Sequence, residues 1–224
     1  MRVRQTIKGL CAMFFTNPFK SRLPEAEEAL KGRAVAIMSP GAHAAHGRPI
    51  APPFPEDVQL VQLGLGCFWG AERLFWTQEG VYSTAVGYAG GRTPNPTYEE
   101  VCSGQTGHSE VVLVAFQPDI LSFEALLAIF WEGHDPTQGN RQGNDIGTQY
   151  RSVIYTSSAE MLEEARRTAR HYGQKLAASG FGQITTEMKS DQTFYYAEEY
   201  HQQYLHKVPN GYCGLAGCNV RYQA

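Results

Sequence analysis

The sequence lacks two features that would place it in large functional classes: a membrane-spanning apolar run and a cluster of charge of one sign. A membrane-spanning helix needs about 20 consecutive apolar residues, and no run in the chain approaches that length. The 19 basic and 22 acidic residues are interspersed and leave a formal net charge of −3, which predicts no nucleic-acid-binding face. What remains is a chain of 224 residues, 42% of them hydrophobic, which can bury one sizeable core.

Cysteine is also scarce, and the set is odd in number and scattered: Cys11, Cys67, Cys102, Cys213 and Cys218. Such a set is a poor framework for structural disulfides, so reduced thiols with one or more redox-active members are expected. A zinc site would need further ligands at defined spacing. His201 and His206 lie five positions apart on a predicted helix and do not share a face, which argues against a zinc site.

The N-terminal 24 residues contain no acidic residue, since Glu25 is the first. This basic bias is mildly similar to an organelle transit peptide, but the apolar stretch is too short for a secretory signal. A cytoplasmic protein is expected, with an organelle as the alternative.

Residues 31–57 are rich in Gly and Pro and read as a linker or wrap. We predict an N-terminal extension over 1–53, flexible or wrapping, and a single domain over 54–224 with a mobile cysteine-containing tail from about 207.

Apolar periodicity predicts a mixed sheet with helices packed on it, the α+β class. Strands are predicted at 58–65, 81–88, 111–116, 150–156 and 183–188. Helices are predicted directly after Cys67, at 123–131 and at 197–206, the second with Ser122 as its cap. A longer helix is predicted to begin at a capping box of Ser157 and Glu160 and to end at Gly180. The aromatic-rich run 194–204 is interpreted as core and surface helix.

The most informative stretch is Gly66-Cys67-Phe68-Trp69-Gly70, which places a thiol between a strand and a helix. The N–H groups at a helix N-terminus favour a thiolate, the nucleophilic form of cysteine. The glycines leave the sulfur open, and the two aromatics can line an apolar pocket beside it. The alternative is a buried core cysteine.

Other candidates lie in polar loops. Glu110 immediately precedes a central strand, where partial burial would raise its pKa and make it a general acid, although a solvated glutamate fits the same position. Asp145, Tyr150 and Tyr98 are able to orient a ligand or donate hydrogen bonds. Taken singly, each is more often an ordinary turn Asp or a half-buried Tyr, and only convergence with Cys67 would make them a site.

The Gly-rich tail carries Cys213 and Cys218, which can attack an oxidised sulfur if they reach Cys67. Two other functions remain open at this point. One is a redox-sensing or zinc-stabilised binding module that uses the tail cysteines. The other is a cysteine hydrolase, for which the scattered histidines offer no preferred base.

Four motifs together closely resemble peptide methionine sulfoxide reductase, type A, over about residues 54–217. They are Gly-Cys-Phe-Trp-Gly at 66–70, Thr-Gly-His-Ser-Glu at 106–110, Gly-Asn-Asp-Ile-Gly-Thr-Gln-Tyr-Arg-Ser at 143–152 and Gly-Tyr-Cys-Gly at 211–214. The resemblance implies a ferredoxin-like core and thiol-dependent reduction of methionine S-sulfoxide, free or within proteins, as repair of oxidised proteins. It implies thioredoxin or an equivalent dithiol as reductant and no metal or organic cofactor, and we expect a monomer.

The resemblance also implies residue roles. Cys67 would be the nucleophile that becomes a sulfenic acid, and Cys213 the resolving cysteine that forms a disulfide with it. Glu110 would protonate the sulfoxide oxygen. The substrate would be bound by Phe68, Trp69, Tyr98, Asp145 and Tyr150. The chain departs from the family pattern at Cys218, which follows Cys213 by only five positions where a second recycling cysteine usually follows by seven or more. Cys218 is therefore a possible recycling thiol.

Overall fold

A computed structural model describes residues 17–223. The predictions made for residues 1–16, including Cys11 and the proposed targeting segment, lie outside the described residues. Among residues 17–223, no helix combines the length and the apolar character needed to cross a membrane.

Within the described part of the chain, six strands form one sheet in the order β7-β6-β1-β3-β2-β8. They are β1 (Gln59–Gly64), β2 (Val81–Ala89), β3 (Ser109–Phe116), β6 (Val153–Thr156), β7 (Glu187–Ser190) and β8 (Tyr195–Tyr196). All neighbours are antiparallel except β6 and β7, which are parallel. A separate hairpin joins β4 (Arg141–Gln142) to β5 (Asp145–Ile146).

Five α-helices complete the fold of residues 17–223: α1 (Phe68–Trp76), α2 (Tyr98–Cys102), α3 (Phe123–Gly133), α4 (Ala159–Ala178) and α5 (Tyr204–Lys207). The main core lies between one face of the sheet and the longer helices α1, α3 and α4. The mixed sheet with packed helices confirms the predicted α+β class. The central elements follow the order β-α-β-β-α-β, with β3 between β1 and β2. This order agrees with the ferredoxin-like arrangement that the resemblance implies, a finer assignment that stays a prediction.

Strand β3 is buried on both faces, which explains its continuous apolar sequence. Val112 and Val114 face the helices. Leu113 faces the other way and packs with Ile50 of the N-terminal segment and Ala85 of β2. The N-terminal segment therefore covers part of the second face of the sheet.

Both terminal segments make specific bonds to the rest of the chain. Arg33 pairs with Glu100 at 2.7 Å. At the other end, the Tyr222 N–H donates to Glu132 Oε1 at 2.7 Å and the Tyr172 hydroxyl donates to the Val220 carbonyl oxygen at 3.0 Å. The boundary at residue 53 and the mobility of the tail from about residue 207 stay predictions.

The structure corrects several element boundaries. The cap of α4 is Ser158, whose Oγ accepts from the Met161 N–H, and not Ser157. The strand predicted at 183–188 begins only at Glu187, and the strand predicted from 150 begins at Val153. The helix predicted at 197–206 is a 3-10 turn, Glu199–His201, followed by α5. Gln203, with φ +48, separates the two, and a left-handed residue interrupts a helix.

Candidate active site

Cys67 is the N-cap residue of α1, as the sequence predicts, at the turn between β1 and that helix. Burial raises the pKa of its thiol above the usual value, the Glu110 carboxyl raises it further, and the nearby Trp69 N–H lowers it only in part. The expectation of a resting thiolate is therefore wrong. Desolvation outweighs the helix N-terminus, and the thiol is neutral when the site holds no ligand.

Glu110 is the second residue of β3 and only 1% exposed. Burial raises the pKa of its carboxyl to about 8, and the charge of Asp145 adds to this effect. A hydrogen bond from the Phe68 N–H to Glu110 Oε2, at 3.0 Å, and the charge of Lys20 act in the opposite direction. At neutral pH Glu110 is therefore mostly protonated and is able to give a proton to a ligand.

Aromatic side chains line the space beside the thiol. Phe68 is buried, with its ring 5.1 Å from the imidazole of His201. Trp69 is half-buried, stacks on Tyr204 at 4.1 Å and donates from Nε1 to His201 Nδ1 at 3.0 Å. The indole is thus fixed on two sides, and the predicted apolar wall next to Cys67 has a defined orientation.

Polar groups approach Glu110 from two further segments. Tyr98 begins α2, and Tyr150 ends the 3-10 turn Thr148–Tyr150. Burial, and next the nearby Glu110 carboxyl, raises the pKa of both phenols above the ordinary value. Asp145 lies in β5, and its charge raises the pKa of Cys67 and of Glu110. Two neutral hydroxyl donors and one carboxylate therefore face the predicted acid.

The tail brings one of its two thiols to this site. A Cβ placed on Gly70 would lie 2.9 Å from Cys213 Sγ, so that sulfur packs on the first turn of α1, next to the end where Cys67 lies. Cys213 is exposed and is not in a disulfide. The tail also contacts Asp145, whose Oδ2 accepts from the Tyr212 hydroxyl at 3.2 Å.

Cys218 lies elsewhere, at the C-terminal end of α3. Its Sγ is 3.9 Å from the His134 carbonyl oxygen. Burial, with the neighbouring Asp135 carboxylate, raises the pKa of this thiol to about 12. The structure thus groups the other predicted site residues around Cys67 and places Cys218 outside that group.

The sequence reasoning missed the contribution of the run 194–204, which it assigned to core and surface helix. His201 contacts three predicted site residues, Phe68, Trp69 and Tyr98. Glu198 accepts from the Tyr98 N–H at 2.9 Å and from the Tyr88 hydroxyl at 2.9 Å. No sequence spacing links Glu198 and His201 to Cys67, because only the folded sheet brings these distant positions together.

Glu72 is a second residue that the sequence reasoning missed. Its fully buried carboxyl accepts from the Gln203 backbone N–H at 2.8 Å, from Gln203 Nε2 at 2.7 Å and from the Thr84 hydroxyl at 3.0 Å. These bonds hold Gln203 in its left-handed conformation. Glu72 therefore anchors the segment that carries His201 and Tyr204 against Trp69.

Comparison with known proteins identifies the family. The family model for peptide methionine sulfoxide reductase matches residues 59–223. The chain belongs to this family. It is 60% identical over 201 residues to peptide methionine sulfoxide reductase MsrA of Pseudomonas aeruginosa strain UCBPP-PA14, covering 90% of this chain and 94% of the relative. It is 58% identical over 200 residues to the mitochondrial peptide methionine sulfoxide reductase of Bos taurus, covering 89% and 86%.

Solved structures agree with this assignment. Methionine sulfoxide reductase A of Corynebacterium diphtheriae superposes with a TM-score of 0.81 at 48% identity, over 86% of this chain and 93% of that one. Reduced Mxr1 of Saccharomyces cerevisiae gives 0.67 at 36% identity, over 72% and 91%. As a peptide methionine sulfoxide reductase, the chain is an oxidoreductase that acts on methionine sulfoxide.

Proposed function

We propose that this reductase converts methionine S-sulfoxide, protein-bound or free, to methionine through a Cys67 sulfenic acid and a disulfide with Cys213. The observation that carries the proposal is the bond between the Phe68 N–H and Glu110 Oε2 at 3.0 Å. It holds a buried, protonated acid beside the residue that follows the thiol. A sulfoxide needs both groups at once, because its sulfur is attacked while its oxygen gains a proton.

Substrate binding follows from the two halves of the site. The S-methyl group of the substrate fits against Phe68 and Trp69, where removal of its apolar surface from water favours binding. The sulfoxide oxygen then faces Glu110, with the hydroxyls of Tyr98 and Tyr150 as further donors. Asp145 is proposed to orient these polar groups through its charge.

In the first chemical step Glu110 gives its proton to the sulfoxide oxygen, and Cys67 Sγ bonds to the substrate sulfur. The positive charge that protonation places on that sulfur favours a thiolate next to it, which offsets the raised pKa of Cys67. The thiol proton moves to Glu110. Glu110 then protonates the hydroxyl of this adduct, the S–O bond of the substrate breaks, and water leaves. A water molecule attacks Cys67 Sγ and returns a proton to Glu110, the S–S bond breaks, methionine leaves, and Cys67 carries the sulfenic acid.

In the second step the Cys213 thiol attacks the sulfenic sulfur, water leaves, and a Cys67–Cys213 disulfide forms. An external dithiol, thioredoxin or an equivalent, then reduces this disulfide and is itself oxidised. The exposed position of Cys213 supports access for such a partner. We propose that the enzyme works as a monomer in the cytoplasm. The mitochondrial name of the bovine relative makes an organelle the alternative.

A cysteine hydrolase is less well supported. His201 contacts Phe68 and Trp69, but its Nδ1 accepts from the Trp69 indole, so its proton is on Nε2. A neutral imidazole in that state has no free lone pair with which to take a proton from Cys67.

The experiment uses purified full-length protein, dithiothreitol and an equal mixture of the two methionine sulfoxide epimers. Chiral chromatography is expected to show complete loss of the S epimer and none of the R epimer. Cys67→Ser is the matched control and should consume neither. Consumption of both epimers, or ester hydrolysis without a reductant, would overturn the proposal.

A further inference from the structure

Residues 17–22 cross between the two segments that carry the proposed oxygen-binding side chains, and we call them the N-terminal clip. Residues Pro18–Lys20 form one 3-10 turn, capped where the Phe19 N–H donates to Asn17 Oδ1 at 3.0 Å. The clip is therefore a locally ordered unit, and the contacts of its two sides differ.

One side of the clip holds the end of α2. Lys20 Nζ donates to the Cys102 carbonyl oxygen at 2.9 Å, and Asn17 Nδ2 donates to the Ser103 carbonyl oxygen at 2.7 Å. The last carbonyls of a helix have no partner within the helix, and α2 has only five residues to fix it. The clip also packs on bare backbone, since a Cβ on Gly104 would lie within 3 Å of Phe19.

The other side of the clip holds the segment 140–148. The hydroxyl of Thr148, a fully buried side chain, donates to the Phe19 carbonyl oxygen at 3.1 Å. Asn140 Nδ2 donates to the Ser21 carbonyl oxygen at 2.8 Å. Thr148 begins the turn that ends at Tyr150, and Asn140 directly precedes the hairpin that contains Asp145.

The clip also brings a cation toward the buried acid. The ammonium of Lys20 lowers the pKa of Glu110, against the effects of burial and of Asp145. Titratable groups from every packed element share this space with Glu110: Cys67, Tyr88, Tyr98, Cys102, Asp145 and Tyr150. Apart from the clip, these neighbours are neutral or acidic.

We propose that the N-terminal clip is part of the active site and that Lys20 is a positioning residue of the reaction. Through the Cys102 carbonyl it holds α2, and with it Tyr98, in register with Tyr150 and Asp145. Its positive charge offsets the carboxyl groups of Glu110 and Asp145. This inference rests on the proposed function, because it assigns the clip to the pocket for the sulfoxide oxygen.

The test compares Lys20→Met with Lys31→Met in the full-length chain. Lys31 is exposed in the same N-terminal segment, so both variants lose one charge. Lys20→Met is expected to slow single-turnover sulfenic acid formation on the order of tenfold, since small displacements of reacting groups are costly. The alkaline limb of its pH–rate profile should also move to higher pH, because a cation that favours ionised Glu110 is lost.

Lys20→Arg keeps a cationic donor. It should therefore show the wild-type rate and the wild-type position of the alkaline limb of the pH–rate profile. Thr148→Val removes the bond on the other side of the clip without changing charge. It should slow the same step while the alkaline limb stays in place. If Lys20→Met does not fold, as judged by circular dichroism, Thr148→Val decides, and a wild-type rate in that variant would overturn the proposal.

Amide hydrogen exchange gives a readout independent of activity. Residues 98–104 and 140–150 are expected to exchange faster in Lys20→Met than in Lys31→Met. An inactive wild-type protein would refute the proposed function. If the wild-type protein is active but Lys20→Met and Lys31→Met have the same rate, the same alkaline limb and the same hydrogen exchange, the role of the clip is refuted.

Discussion

The Phe68 N–H donates a hydrogen bond to Glu110 Oε2 at 3.0 Å, and this bond joins the start of α1 to the start of β3. The acceptor is a carboxyl that burial keeps largely protonated, and the donor belongs to the residue directly after Cys67. The proposed proton source and the proposed nucleophile are therefore held by one short contact. These two groups therefore lie on rigid elements, a helix and a strand.

Glu110→Gln is expected to slow sulfenic acid formation by about 100-fold or more, the usual contribution of general acid catalysis. The amide keeps the shape of the side chain and can accept from Phe68, so circular dichroism should be unchanged. The measurement is single-turnover release of methionine. Glu79→Gln, at an exposed position near the end of α1, is the control, and an equal rate in both variants would remove Glu110 from the mechanism.

The buried Glu110 also predicts how stability depends on pH. Its pKa is about 8 in the folded chain against an ordinary value of 4.5, so between these values the folded state holds a proton that the unfolded state has released. Its contribution to stability is therefore complete below pH 4.5 and is lost as pH rises through 8. The slope is at most about 1.4 kcal/mol per pH unit.

Urea unfolding of wild type and Glu110→Gln from pH 5 to pH 8 tests this sign, because groups other than Glu110 titrate in both proteins. The free energy of unfolding of wild type minus that of Glu110→Gln should fall steadily over this range. Parallel curves would mean that Glu110 titrates alike in the folded and the unfolded chain.

The sequence allowed part of this site to be predicted and not the rest, for physical reasons. Cys67 at a strand-to-helix turn follows from local apolar periodicity and two flanking glycines. Its protonation state does not, since desolvation depends on what packs around the sulfur. The five-residue α2 is too short to show a helical period. His201 reaches Trp69 across 132 positions of the chain, a contact that no local pattern encodes.

His201→Phe is expected to disturb the proposed methyl pocket more than the fold. The ring still fills the space, but the Trp69 Nε1–H loses its acceptor, and an unpaired donor that is partly buried costs about 1–3 kcal/mol. KM for the S epimer should rise more than kcat falls, with a shift in tryptophan emission. Tyr204→Phe keeps the stacked ring and should show neither change. A similar rise of KM in both variants would show that the bond to His201 does not hold the indole.

Cys218 provides the last prediction, because its surroundings argue against a role as relay. Its thiol has a pKa raised to about 12, so almost none of it is thiolate at neutral pH, and thiolate is the attacking species. The residues after it are fixed on α3 by the Tyr222 N–H to Glu132 Oε1 bond. Cys218→Ser is therefore expected to form the Cys67–Cys213 disulfide and to turn over with thioredoxin at the wild-type rate. Mass spectrometry of wild type after one turnover should find Cys67–Cys213 alone. A Cys213–Cys218 disulfide, together with slower thioredoxin-dependent turnover of Cys218→Ser, would instead require the docked end of the chain to detach from α3 in each cycle.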